Sequence, residues 1–187
     1  MNQITEEEIL NSRSKSGKIE KIQTSYIDIS MNSPEKNTEI RIYFFGKRET
    51  NLKNNYNFSK LDISTNHVIN LEFYENFYEI FFKSDSISDF ELLLNIYKEK
   101  IDNLYLPYKN WHNFINKYFS ENKKYRENLT GQLGIAPSSI ANQLINTNFH
   151  EIKISLIPIK KTSLSSGKVL TLDKYFVWSN DFEIVEK

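Results

Sequence analysis

Three groups of residues in this chain have side chains suited to more than packing: carboxylates around predicted strands, three histidines, and a run of basic and amide side chains in the C-terminal half. Glu72, Glu75 and Glu79 surround a predicted hairpin, and Asp85, Asp89 and Glu91 lead into a predicted helix. Paired acids on adjacent strands would hold divalent cations for nuclease chemistry. No Asp followed at suitable spacing by a Glu-x-Lys strand accompanies them, and helix capping with the helix dipole accounts for Asp89 and Glu91. His67, His112 and His150 are isolated, without the His-Glu-x-x-His spacing that sets two imidazoles on one helix face. The five glycines form no phosphate-cradling run, and no Gly-x-Ser-x-Gly elbow presents a nucleophile. Absence of cysteine removes thiolate zinc sites, cysteine nucleophiles and disulfides. No cofactor or metal is expected, and a small hydrolase or nuclease is the weakest of three functional readings.

The basic and amide residues are more specific. Residues 126–145 (RENLTGQLGIAPSSIANQLI) place Leu129, Leu133, Ile135 and Ile140 where two short helices would share a core. Gly134 sits where a turn needs a left-handed residue, and Pro137 and Ser138 suit the start of a second helix. The segment resembles a helix-turn-helix, although Thr130 and Gln143 depart from the usual small and apolar positions. The resemblance implies a second helix that presents Ser138, Ser139, Asn142, Gln143 and Asn146 to bases or phosphates, with Lys123, Lys124 and Arg126 beside it. The basic loop 160–168 (KKTSLSSGK), with Lys160, Lys161 and Lys168, would serve as a wing on the backbone. Charge distribution agrees: the formal net charge of zero divides into +6 over residues 108–175 and −6 over the remainder. The leading expectation is a non-enzymatic binding protein that contacts nucleic acid.

The alternative rests on aromatics. Tyr43, Phe44 and Phe45, then Phe73, Tyr74, Phe77, Tyr78, Phe81 and Phe82, exceed what one buried sheet face needs, because consecutive strand residues point to opposite faces. With Glu72, Glu75 and Glu79 nearby, an exposed part of that surface would suit a protein partner, as in an inhibitor or immunity-type protein.

These residues must be positioned by a fold, and the hydrophobic periods predict one. The 187 residues predict a single α+β domain, 39% hydrophobic and too rich in packing side chains for disorder. A short N-terminal helix begins near Thr5. Strands follow over about 19–83, alternating at Ile22, Ile27 and Ile29, and again in 39–45 (EIRIYFF). A hairpin joins 67–73 to 77–83. Ser88 with Glu91 forms a capping box for a helix along Phe90, Leu93, Leu94, Tyr97, Ile101 and Leu104. Trp111, Phe114, Ile115, Tyr118 and Phe119 predict a second helix, residues 124–133 a third and 137–146 a fourth, so a block of three to four helices fills about 88–146. Strands return over about 149–185, giving a largely antiparallel sheet from both ends of the chain. The N-terminus (MNQITEEE) lacks a secretory pattern and no window approaches the length of a membrane span, so a soluble cytoplasmic protein without membrane contact is expected.

Overall fold

The computed structural model describes residues 16–32, 37–71, 75–117, 129–159 and 167–187. In chain order these form β1 (Gly17–Ile22), β2 (Tyr26–Met31), β3 (Thr38–Thr50), β4 (Asn57–Phe58), β5 (Leu61–Ser64), β6 (Phe77–Ser84), α1 (Ile87–Tyr105), β7 (Thr130–Pro137), α2 (Ser138–Ile145), β8 (Ile152–Pro158), β9 (Lys168–Leu172) and β10 (Tyr175–Glu186). The chain divides into two compact units, Met1–Asn70 with Ser165–Lys187, and Leu71–Leu164.

The first unit is a seven-stranded sheet in the order β4-β1-β2-β3-β10-β9-β5, antiparallel at every pairing. It forms because isoleucines alternate with polar residues along β2 and β3, so Ile27 faces Ile42 and Ile29 faces Ile40 on one side. Ile19, Phe44, Phe58, Leu61, Leu170, Leu172, Phe182 and Ile184 complete that core. Ordinary hydrophobic burial of about 2 kcal/mol per fully enclosed side chain drives the curl of the sheet over it. Strand β10 carries a bulge between Ser179 and Asp181 and joins the N-terminal strands to the C-terminal ones through β3 and β9.

The second unit is a three-stranded antiparallel sheet, β7-β6-β8, with α1 and α2. Phe90 of α1 stacks on Phe82 of β6 with ring centroids 5.1 Å apart, and Leu93, Leu94, Tyr97, Ile101 and Tyr105 continue the buried stripe. Ser86, rather than Ser88, is the N-cap of α1, its side chain accepting from the Asp89 N–H.

Strand outweighs helix, 48% to 24%, and the expected central block of three to four helices is not formed. The α-helices whose whole span is described are α1 and α2, and residues 118–120 of the expected second helix lie outside the described residues. Trp111–Asn113 is a single 3-10 turn, capped by Asn110, and Phe114 and Ile115 then run beside β7, where Ile115 bridges Gly134. Phe114 and Ile115 are both buried, and the Phe114 carbonyl accepts from the Ile135 N–H of β7 at 2.9 Å. Residues 130–137, read as helix and turn, are β7. Gly131 and Gly134 disfavour helix there, and β6 supplies a ladder that β7 completes. Gly134 itself is not a left-handed turn residue. A Cβ at this position would lie 2.5 Å from the Phe114 carbonyl oxygen and 2.7 Å from the Tyr97 hydroxyl, so glycine permits a close approach. The expected 67–73 strand is instead a 3-10 turn over Val68–Asn70, and β6 pairs with β7 and β8.

Candidate interaction surface

Of the residues expected to contact nucleic acid, Ser138, Ser139, Asn142, Gln143 and Asn146 lie on or just after α2, which does form. The helix-turn-helix does not, because β7 leads directly into α2 through Pro137. The N-terminus of α2 already holds an anion. The Glu75 carboxylate accepts from the Ser138 hydroxyl at 2.8 Å, the Ser139 N–H at 2.9 Å and the Ser139 hydroxyl at 3.4 Å. Those donors, which a phosphate would need, are spent on an internal cap. Gln143 accepts from the Lys100 ammonium of α1 at 2.6 Å, while Asn142 and Asn146 are exposed. Lys168 belongs to β9 in the other unit and pairs with Asp181 at 2.9 Å. Lys123, Lys124, Arg126, Lys160 and Lys161 lie outside the described residues.

The aromatic reading divides similarly. Phe44, Phe77 and Phe82 are buried, Tyr43, Tyr78 and Phe81 are half-buried, and Phe45 is exposed. Phe73, Tyr74 and Glu72 lie outside the described residues, Glu75 caps α2, and Glu79 is half-buried on β6. Among the described residues no group of three or more His, Asp or Glu side chains is placed to hold a metal ion.

A further polar cluster lies on the side of β1, β2 and β3 opposite the isoleucine core. Alternation that sends Ile27, Ile29, Ile40 and Ile42 inward sends Tyr26, Asp28, Ser30, Glu39, Arg41 and Tyr43 outward. The register pairs Tyr26 with Tyr43 and Asp28 with Arg41. Arg41 donates through Nε to Asp28 Oδ1 at 2.7 Å and through Nη2 to Oδ2 at 3.0 Å, a bidentate fork. Its guanidinium lies 3.9 Å above the Tyr26 ring and 5.9 Å from that of Tyr43. Lys187 adds a second cation to Asp28 Oδ2 at 2.7 Å. Burial of Asp28 pushes its carboxyl upward, but hydrogen bonds and charge from Arg41 and Lys187 outweigh this and hold it below the usual carboxylate range. Hydrogen bonds to Asp28 and Tyr43 hold Arg41 more firmly protonated than usual. Beside this group, Glu20, Asp28, Ser30, Glu39 and Lys187 line a shallow depression of about 430 Å³.

Sequence reasoning passed over Tyr26, Asp28, Arg41 and Lys187. One signal was present: Arg41 is one of four arginines, and it alternates in phase with Tyr43 and Glu39 on the polar side of a strand. Pairing it with Asp28 requires the hairpin register, which loop residues alone do not specify. No family model matches this chain, and neither the curated proteins nor the solved structures contain a match to it.

Proposed function

We propose that this chain is a binding protein that engages a protein partner, in the manner of an inhibitor or immunity-type protein, through the outer face of β1 to β3. The observation that carries this reading is Arg41, forked onto Asp28 and stacked over Tyr26 with Tyr43 alongside. Tyrosine and arginine are the side chains on which interface energy concentrates. Here their rotamers are fixed before any partner arrives, which lowers the ordering cost of association. The surrounding charges are mixed, with Lys18, Arg41 and Lys187 against Glu20, Asp28, Glu39 and Glu183. Mixed signs favour a surface of complementary pattern over a uniform polyanion.

Immobilised wild-type protein and the double variant Tyr43→Ala with Arg41→Ala are to be compared for capture of a partner from the native host. A stoichiometric protein bound by the wild type and lost in the variant, with circular dichroism unchanged, is expected. Equal capture by both would remove this face from the proposal. A titration with duplex DNA runs in parallel: affinity falling steeply with salt would favour the nucleic-acid reading instead.

A further inference from the structure

The three-stranded sheet ends in β8, and no described strand pairs with the outer edge of β8. The direction of its backbone groups follows from two bonds. The Ile159 N–H donates to the Phe77 carbonyl, and the Glu151 carbonyl accepts from the Asp85 N–H, so odd-numbered residues turn their backbone toward β6. The even-numbered residues Ile152, Ile154, Leu156 and Pro158 therefore turn theirs outward. Pro158 stands at one of the outward positions, where a missing N–H costs the internal ladder nothing. The pairing of β8 with β6 runs without a register shift, so no bulge twists the edge away from an incoming strand.

We propose that this edge pairs antiparallel with the same edge of a second copy of the chain, with the two-fold axis at Ser155. The sequence IKISLIP is self-complementary in that register. Ile154 faces Leu156 of the second copy, and the two exchange both backbone hydrogen bonds. Ile152 faces Pro158, whose carbonyl accepts from the Ile152 N–H. Applied twice by symmetry, this joins the two three-stranded sheets into one of six strands. Lys153 falls opposite Ile157 and not opposite another lysine, so no like charges meet, and the lysine stem covers an isoleucine that is 49% exposed in one chain. Ser155 meets its own copy in a non-hydrogen-bonded pair, where side chains come closest and a small residue fits. Ile152, Ile154 and Leu156, half-buried on the helix side, extend the apolar layer across the axis.

The full chain offers a direct test because it contains no cysteine. In this register the two Ser155 Cα atoms lie about 4.5 Å apart, within disulfide range, whereas the two Lys153 Cα atoms are separated by about 14 Å. Ser155→Cys is expected to give a covalent dimer on non-reducing electrophoresis after mild oxidation, and Lys153→Cys only monomer. Sedimentation equilibrium of the wild type is expected to show a concentration-dependent species of twice 22.2 kDa. Ser155→Lys, an exposed position, should shift that equilibrium to monomer without changing circular dichroism. A wild type that stays monomeric at every concentration overturns the proposal. So does a dimer indifferent to Ser155→Lys, or equal cross-linking at both cysteine positions. Loss of the partner described above leaves these measurements unaffected, so the two proposals fail separately.

Discussion

Asp173 shows how much one short side chain holds together. It sits in the turn between β9 and β10 with φ of 53°, a left-handed conformation that aspartate tolerates better than most residues. Its carboxylate accepts from the Tyr56 hydroxyl at 3.1 Å, from the Ser59 hydroxyl at 2.9 Å and from the Lys60 N–H at 2.9 Å, pinning the β4–β5 connection to this turn. Burial raises its carboxyl, and the bonds from Ser59, Tyr56 and Lys60 outweigh that and leave it low. Asp173→Ala is expected to cost about 2 kcal/mol in urea unfolding, as hydrogen bonds to a charged acceptor are lost. His67 works in the opposite chemical sense. Its Nδ1 accepts from the Ile69 N–H at 3.2 Å, and burial depresses the imidazole against the pull of Asp62. Protonation abolishes that acceptor, so the contribution is complete above the ordinary histidine value of about 6.5 and is lost as pH falls below it. His67→Asn keeps an acceptor without a titration, and the decline in unfolding midpoint just below neutrality should then flatten.

At the level of elements, α1 was legible because its stripe of Phe90, Leu93, Leu94, Tyr97 and Ile101 repeats over about three turns and only a helix buries all of them together. Shorter apolar runs carried no such constraint. Leu133 and Ile135 fit a helical corner and a strand equally well over eight residues, and the ladder offered by β6 decided for the strand. Gly134 was read as a left-handed turn residue, but its role is a close approach that depends on Tyr97, which is distant in sequence and donates to the Ile135 carbonyl at 2.9 Å. Gly134→Ala should lower stability by about 2 kcal/mol, since neither a backbone carbonyl nor a buried tyrosine can yield easily. The Glu75 cap on α2 gives a milder expectation. Glu75→Ala should cost about 1 kcal/mol, with the loss of hydrogen-exchange protection concentrated in the first turn of α2.

Over the whole molecule, the zero net charge conceals local arrangements of very different kinds. Within the +6 region of the sequence, Lys168 pairs with Asp181 and Lys109 lies 5.9 Å from the Phe114 ring. Asp28, Asp173 and Asp181 are all held low, and all three belong to the seven-stranded unit. Their depressed values contribute stability that is present above the ordinary carboxylate range of about 4 and is lost as pH falls through their folded values. Amides of β1 to β3 and β10 should therefore lose hydrogen-exchange protection as pH is lowered through that window, and Asp28→Asn should remove part of the dependence. Unchanged protection across the window would contradict this assignment.

The sequence by itself determined which residues share a side of each strand, because a period of two is a local property of the backbone. It separated Ile40 and Ile42 from Arg41 and Tyr43, and it marked α1 and α2 by period, while the caps fell to Ser86 and to Glu75. Only the tertiary structure decided what those sides meet. The join of β3 to β10, the fork of Arg41 on Asp28, and the filling of the α2 N-terminus by Glu75 each pair residues far apart in the chain or across a loop. Such pairs are set by register and by burial of a shared core, and neither quantity is written in any single window of residues.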